Sequence, residues 1–166
     1  FHDNTLLPHL VNQQDVDYAL AVEMTKRFYA DPLCSSFMRL PGLKVEHEYY
    51  RKNVFGFWGK CKADGAHKPM NAVLELKGLN VENQKAFDEA IDRFDYDQGA
   101  AWYSECSHLH RILIAAVSKK NTSMLFKKLI VHGDPIYQHG VEKVMRAKRL
   151  INEFVGDLKV EDVLRD

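Results

Sequence analysis

The sequence predicts a single all-α domain, and three observations support this. Apolar residues recur at helical spacing in several segments, no stretch shows sustained alternation of apolar and polar residues, and Asn, Pro or Gly flanks most helical segments. A chain of 166 residues that is 46% hydrophobic and 28% charged can form one core without staples. Basic and acidic residues number 23 each, and this zero net charge argues against a dedicated nucleic-acid binder.

Seven helices and a final turn are predicted along the chain. The first has an apolar stripe from Val16 to Phe28, and Pro32 follows its end. The third opens at Pro69, because proline suits a first helical turn, and Gly78 ends it. The predicted helices cover 15–29, 44–59, 69–77, 81–95, 100–119, 122–132 and 136–155, with a polar linker at 60–68 and the turn at 160–164. Asn80 is the predicted cap of the helix at 81–95, and Asp134-Pro135 predicts the start of the last helix.

The cysteines and the start of the chain bear on its compartment. Cys34, Cys61 and Cys106 are scattered and show no C-x-x-C spacing, which predicts buried thiols in a reducing compartment. No apolar run approaches the roughly 20 residues of a membrane-spanning helix. The chain begins at Phe1, which a removed transit peptide, a purification scar or missing preceding residues would explain. We therefore expect an intracellular protein, with the mitochondrion as one candidate location.

No catalytic motif stands out in the sequence. His47-Glu48 begins like a zinc-protease helix, but Arg51 occupies the position of the second histidine. The stretch 95–99 resembles a calcium loop, but its twelfth position is Cys106 instead of glutamate. Phosphate-binding glycine loops, nucleophile elbows and paired carboxylates are not recognised. The expectation is a protein that is not an enzyme and has no catalytic residue and no metal site.

Basic residues gather on the last long predicted helix, mainly opposite its apolar stripe. They suit either a solvated face or a docking face for an acidic protein or for anionic lipid headgroups. The residues are Lys143, Arg146, Lys148 and Arg149.

Several short motifs, taken in order, resemble a truncated globin over about residues 15–118. Phe28-Tyr29 resembles the aromatic pair whose tyrosine faces bound ligand in that family. Ala30–Leu33 with Phe37-Met38 resembles its acidic-proline turn, and 54–59 resembles its distal helix. Segments 69–73 and 77–81 resemble the approach to the proximal haem ligand and the stretch after it. The resemblance implies a globin-like helical sandwich at 15–120, an N-terminal arm at 1–14 and a C-terminal helical extension at 121–166.

The chain departs from the family at the haem ligand. The position of the proximal histidine falls on Leu74 or Leu76, and leucine cannot ligate iron. The resemblance therefore implies a haem-free structural subunit that binds other protein subunits and no nucleic acid, for example in a mitochondrial respiratory-chain or ATP-synthase complex. The alternative is a truncated haemoglobin that binds haem through an unusual ligand for O2 or NO chemistry. Residues near that pocket would be Tyr29, His47, His67, Met70, Leu74 and Leu76.

Overall fold

The fold is a mixed five-stranded sheet with helices on both faces, as a computed structural model of the chain shows. It describes residues 7–155, with side chains described for 17–153. The strands, in spatial order, are β1 (Lys44–Val54), β2 (Phe57–His67), β3 (Ala72–Leu79), β4 (Arg111–Ser118) and β5 (Leu125–Val131). The helices are α1 (Leu7–Ala30), α2 (Pro32–Met38), α3 (Gln84–Arg93), α4 (Tyr96–Ser107) and α5 (Pro135–Val155), with a 3-10 turn at Lys68–Met70.

The all-α prediction is therefore wrong, and the chain is an α/β protein. Strands β3 and β4 are parallel, and every other neighbouring pair is antiparallel. The parallel pair needs a long crossover, which α3 and α4 supply. On one face Phe28 and Phe37 pack with Leu74 of the sheet, and on the other Phe87 packs with Ile112. Both faces of the central strands are thus buried.

The predicted helix at 44–59 and the predicted linker at 60–68 form the β1–β2 hairpin. Along β2, exposed Lys60 and Lys62 alternate with buried Cys61 and Ala63, which is the period of a strand with one covered face. The buried residues of β2 are small, so the alternation is weak on a hydrophobicity scale. In β1 the alternation is visible only in the burial of the folded structure and not in the sequence. The prediction of a helix at 44–59, which rested on the spacing of its apolar and aromatic residues, is therefore wrong.

The hairpin closes with a two-residue turn. Val54 pairs with Phe57, and both intervening residues, Phe55 and Gly56, have positive φ angles of 51° and 89°. Positive φ at both central positions is the signature of a type I′ turn, whose twist matches that of paired strands. Asn53 also has a positive φ, at a shift of register between β1 and β2. This irregularity has the character of a β-bulge.

Two further predicted helices, and the second half of a third, are strands. The segments 69–77 and 122–132, and the second half of 100–119, contain β3, β5 and β4. Strand β4 is buried along nearly its whole length. An apolar run buried on both sides cannot be told from a buried helix by periodicity alone, which explains the error.

The predicted helices at 81–95 and 136–155 are confirmed as α3 and α5. Asn83 caps α3 by accepting a hydrogen bond from the N–H of Ala86. Helix α1 begins at Leu7, within the predicted arm at 1–14, and the predicted turn at 160–164 lies outside the described residues. The predicted boundary at residue 120 falls between β4 and β5, which are hydrogen-bonded neighbours.

Among the helices of residues 7–155, none has the length and apolar character needed to cross a membrane. Mitochondrial location stays a prediction of the sequence.

Candidate active site

Two acidic side chains meet where β2 and β3 separate. The two strands pair only between Gly65–His67 and Ala72–Leu74. Asp64 and Glu75 are the next residues beyond this short ladder, one on each strand. The N–H of Leu76 donates a hydrogen bond of 2.7 Å to Oδ2 of Asp64. We call this place, defined by Asp64, Glu75 and Lys77, the fork.

Glu75 is buried at the fork, and its two oxygens differ. The Lys77 ammonium donates to Oε1 at 2.5 Å, whereas Oε2 is buried without a hydrogen-bond partner among the described residues. Burial raises the pKa of Glu75, and the Asp64 carboxylate raises it further, while Lys77 and, more weakly, the neighbouring Tyr103 hydroxyl lower it. The Tyr103 hydroxyl donates its own hydrogen bond to the carbonyl oxygen of Lys62. A buried carboxylate oxygen without a partner is costly, so this atom is available to a ligand.

Helix α4 forms a wall of the fork. Tyr96 and Tyr103, together with Glu75 and Lys77, line a cavity of about 210 Å³. The Lys77 ammonium lies 5.5 Å from the ring centroid of Tyr96. Burial raises the pKa of the Tyr103 phenol, and the nearby Glu75 carboxylate adds to this effect. The cavity is thus polar at Glu75 and Lys77 and aromatic at Tyr96 and Tyr103.

Helix α4 also replaces the strand partner that β2 lacks before residue 65. The Trp102 indole N–H donates to the carbonyl oxygen of Lys60 at 3.0 Å, and the Tyr103 hydroxyl donates to that of Lys62 at 2.9 Å. Backbone carbonyls that leave a sheet need other donors, and these two side chains supply them. The hairpin therefore stays attached to the wall of the fork.

A second acidic cluster lies at the start of α4. Oxygen and nitrogen atoms of Asp92, Asp97 and His139 lie within 4.8 Å of one another. The Lys143 ammonium already lies 2.7 Å from Asp92 and 3.0 Å from both Asp95 and Asp97. Although burial opposes it, hydrogen bonding to these carboxylates raises the pKa of Lys143. The cluster is therefore an internal ion-pair network, with its cation supplied by the chain.

The residues predicted near a haem pocket do not converge on one place. Tyr29 is 52% exposed on α1, and it lines an apolar cavity of about 440 Å³ together with Leu76. Leu74 is fully buried in the core that contains Phe28. His47 lies on β1, with its ring against Tyr49.

His67 and Met70 lie together at the end of β2, and local structure explains His67. Its Nε2 is 3.0 Å from the carbonyl oxygen of Pro41, and its Nδ1 accepts a hydrogen bond from the N–H of Met70. The ring thus ties the loop before β1 to the turn before β3. The Met70 side chain is 42% exposed.

The basic residues predicted as a docking face are partly engaged within the chain. Lys143 belongs to the ion-pair network, and Lys148 donates to the carbonyl oxygen of Phe55 at 2.9 Å. Arg146 and Arg149 remain exposed. Two of the four charges proposed for lipid or protein contact thus stabilise the fold.

The residues of the fork were not recognised in the sequence. Their signal was an aspartate followed eleven residues later by Glu-x-Lys, with glycine and proline between them. This spacing becomes meaningful only when both segments are read as paired strands. With 44–59 and 69–77 predicted as helices and 60–68 as a linker, Asp64 and Glu75 belong to separate elements.

Two solved structures resemble this fold. An exonuclease-like protein of Eubacterium rectale matches with a TM-score of 0.64 and 19% identity, over 87% of this chain and 56% of that chain. A phage-related exonuclease of Haemophilus somnus matches with a TM-score of 0.56 and 11% identity, over 86% of this chain and 73% of that one. At these identities the likeness concerns the fold, and this chain spans little more than half of the first protein. No protein-family model and no curated protein sequence matches the chain.

The comparisons overturn the globin resemblance. Both neighbours are described as exonucleases, and neither is a globin. The predicted non-enzymatic accessory subunit of a respiratory or ATP-synthase complex is therefore wrong, and the haemoglobin alternative is unsupported. The predicted exclusion of nucleic acid is contradicted by the same neighbours. The physical reason is that the segments compared with globin helices are strands.

Proposed function

We propose that this chain is a metal-dependent nuclease domain that hydrolyses phosphodiester bonds of DNA at the fork. The observation that carries the proposal is Oε2 of Glu75, a buried carboxylate oxygen without a partner beside a second carboxylate and a lysine. The order Asp64, Glu75, x, Lys77 on two adjacent strands has the form of a PD-(D/E)XK motif. The exonuclease-like neighbours share the sheet that carries it.

The donor atoms of the fork suit a small divalent cation. Mg²⁺ prefers hard oxygen ligands, and it is commonly held by one or two carboxylates with water and phosphate completing its shell. Asp64 and Glu75 supply such oxygens, and burial, with a smaller contribution from repulsion between the two carboxylates, raises the pKa of Glu75. A cation there would relieve both the repulsion and the orphaned oxygen. A divalent metal thus replaces the earlier expectation of a protein without metal or cofactor.

Each residue of the fork has a distinct task in this proposal. Asp64 and Glu75 hold the cation, which when bound lowers the pKa of a coordinated water and stabilises charge on phosphoryl oxygens. Lys77, held by Oε1 of Glu75, supplies a localised positive charge suited to a phosphate oxygen. Tyr96 and Tyr103, which line the same cavity as Glu75, limit the access of bulk water to the Glu75 carboxylate.

The activity is tested by incubating the purified chain with linear double-stranded and single-stranded DNA. Release of acid-soluble nucleotides is measured with Mg²⁺, with Mn²⁺ and with EDTA. We expect release with either metal, none with EDTA, and loss in Asp64→Asn, Glu75→Gln and Lys77→Ala. The control is Glu82→Gln, because that carboxylate is 65% exposed and pairs with Lys120 on the surface. The proposal fails if the fork variants degrade DNA as the control does.

A second measurement tests the metal site without relying on turnover. Binding of Mn²⁺ to the folded chain is followed by electron paramagnetic resonance. We expect wild type and Glu82→Gln to bind the ion with equal affinity, and Asp64→Asn and Glu75→Gln to lose most of that affinity. Equal binding by all four proteins would place the metal elsewhere and reject the fork.

A further inference from the structure

The tip half of the β1–β2 hairpin has an unusual composition. Between Tyr49 and Ala63 the chain carries four basic residues, five aromatic residues and no acidic residue. The whole chain has no net charge, so this segment is a local concentration of positive charge. Basic and aromatic residues together are the combination that single-stranded nucleic acids require from a protein surface.

Some of these side chains form one solvent-facing surface. Tyr50 is 65% exposed and Trp58 is 72% exposed. The side chains of Lys60 and Lys62 are 56% and 51% exposed. We call this surface the outer hairpin face and define it by Tyr50, Lys52, Trp58, Lys60 and Lys62.

Cross-strand pairing alternates rings and charges on this face. Tyr50 is in register with Lys60, whose ammonium lies 5.1 Å from the centroid of the tyrosine ring. Lys52 lies 4.9 Å from the centroid of the Trp58 ring. Cations beside rings place phosphate contacts next to stacking surfaces, so one nucleotide can use both.

Acidic residues appear only toward the base of the face. Lys60 lies 3.1 Å from Glu48, and Lys62 pairs with Glu46. Exposed pairs of this kind contribute little to stability. A phosphate can therefore compete for both lysines at little cost to the fold.

The outer hairpin face is continuous with the fork. Strand β2 exposes Trp58, Lys60 and Lys62 in alternation, and Asp64 is the next residue of that series. At about 3.3 Å per residue, Trp58 lies roughly 20 Å along β2 from Asp64. A strand of DNA that follows this series is led to Asp64, at the edge of the fork.

The hairpin is held in place before any ligand arrives. The Trp102 indole fixes the Lys60 carbonyl, and the Lys148 ammonium donates to the Phe55 carbonyl in the turn while lying 5.6 Å from the Phe57 ring centroid. Little conformational entropy is then lost on binding, which favours affinity.

We propose that the outer hairpin face binds single-stranded DNA and leads it to the fork. Trp58 and Tyr50 stack on bases, and Lys52, Lys60 and Lys62 contact phosphates. The bases of a duplex already stack on one another, so exposed rings of this kind favour an unpaired strand. This assignment rests on the proposed nuclease function, because it names the substrate that reaches that site.

Binding is tested by fluorescence anisotropy with a labelled oligothymidine of about 20 nucleotides, longer than the roughly 4–16 nucleotides covered by one single-strand-binding domain. Measurements in EDTA on the Glu75→Gln background separate binding from cleavage. Adding Trp58→Ala is expected to weaken binding about tenfold, as the loss of one stacked base does, and Trp58→Phe to retain most of the affinity. Tyr18→Ala is the matched control, since Tyr18 is 73% exposed on α1.

The lysines are tested by the salt dependence of binding. Lys60→Ala combined with Lys62→Ala should reduce the slope of log affinity against log salt by about 1.4, at about 0.7 for each phosphate contact. The control combines Lys26→Ala with Lys85→Ala, whose side chains are 67% and 87% exposed. It should keep the wild-type slope.

Failure of this inference and failure of the nuclease proposal look different. Three outcomes would overturn the hairpin assignment, whatever the cleavage assay shows. The protein fails to bind oligothymidine, Trp58→Ala binds it as tightly as the Tyr18→Ala control, or the protein binds a duplex with equal affinity. If Trp58→Ala loses binding while Asp64→Asn cleaves normally, the hairpin assignment stands and the fork is rejected. If Asp64→Asn abolishes cleavage but keeps full binding, both stand.

Discussion

Oδ2 of Asp64 accepts a 2.7 Å hydrogen bond from the N–H of Leu76, so this side chain joins β2 to β3 where their main chains separate. The same carboxylate faces Glu75 closely enough to raise its pKa. Asp64 thus makes a structural hydrogen bond through one oxygen, and its negative charge acts on Glu75. The two contributions can be separated by substitution.

Asp64→Asn and Asp64→Ala should differ in stability but not in activity. Asparagine keeps an oxygen acceptor for the Leu76 amide and loses the charge, whereas alanine loses both. We expect both variants to lose metal-dependent DNA hydrolysis, and only Asp64→Ala to lose about 1–2 kcal/mol of unfolding free energy. Urea unfolding measures the second effect. Wild-type activity in Asp64→Asn would show that the charge is unnecessary.

Glu75→Gln should be more stable than wild type at neutral pH in the absence of metal. The folded state raises the pKa of Glu75 above its ordinary value of 4.5, mainly through burial. Its contribution is therefore most favourable below that value and is lost as pH rises through the raised pKa. The difference in unfolding free energy between variant and wild type should grow over this range. A difference that is constant with pH would contradict the raised pKa.

Mg²⁺ should reverse this order of stability. A cation that binds only the folded state stabilises it by about 2.7 kcal/mol at a concentration 100 times its dissociation constant. We expect Mg²⁺ to raise the Tm of wild type and of Glu82→Gln, and to leave that of Glu75→Gln nearly unchanged. Differential scanning fluorimetry with and without EDTA measures the effect, and an equal rise in all three would argue against the fork.

Acid should destabilise the fold through His110. Burial lowers the pKa of His110 below 6.5, and neighbouring His132 and His108 lower it further, while Glu105 opposes them. The rings of His110 and His132 are 4.8 Å apart. A lowered pKa gives stability that is present above the unfolded value and is lost as pH falls below it. Between about pH 7.5 and 5.5, His110→Gln should show a smaller drop in urea midpoint than wild type; identical drops would exclude this source.

Gly140→Ala should be strongly destabilising, and Gly99→Ala should not. A Cβ on Gly140 would lie 2.1 Å from the Asp97 carbonyl oxygen, where α5 crosses the start of α4. Helix α5 must then shift, at a cost of about 1–3 kcal/mol or more. A Cβ on Gly99 in α4 meets nothing within 4 Å, so that change should stabilise by about 0.5–1 kcal/mol. Equal thermal shifts in the two variants would refute the close packing.

The sequence was sufficient for the helices that have one polar face. Helix α3 has an apolar face at Phe87, Ala90 and Ile91, although its cap is Asn83 and not the predicted Asn80, and α5 follows the Asp134-Pro135 start signal. Both were predicted within a few residues. Their signals are local, because a cap and a stripe are properties of one segment alone.

The sheet and the fork depend on non-local pairing, and this explains why both were missed. Strand β4 is apolar on both faces, since one face packs against α4 and the other against α1, and neither helix is adjacent to it in a way that its own sequence reveals. The strand at Cys61 and Ala63 shows its alternation chiefly through small residues. Asp64 and Glu75 meet only after a three-residue ladder forms between their strands. The Glu-x-Lys pattern within the apolar segment 72–79 could have indicated a site, but the prediction of a helix there gave these residues no reason to face Asp64.

Helix α5 contacts both the turn of the β1–β2 hairpin and the start of α4. Lys148 donates a hydrogen bond to the Phe55 carbonyl in the hairpin turn, and five residues earlier along the helix Lys143 pairs with Asp97 at the start of α4, the helix that carries Tyr103. Because a single helix makes both attachments, it holds the hairpin turn and helix α4, a wall of the fork, in fixed positions relative to each other. If α5 ended before Lys148, the hairpin turn would lose its hydrogen bond from this helix, while Lys143 would still pair with Asp97. We would then expect DNA hydrolysis at the fork to persist and binding of the DNA strand along the hairpin to weaken.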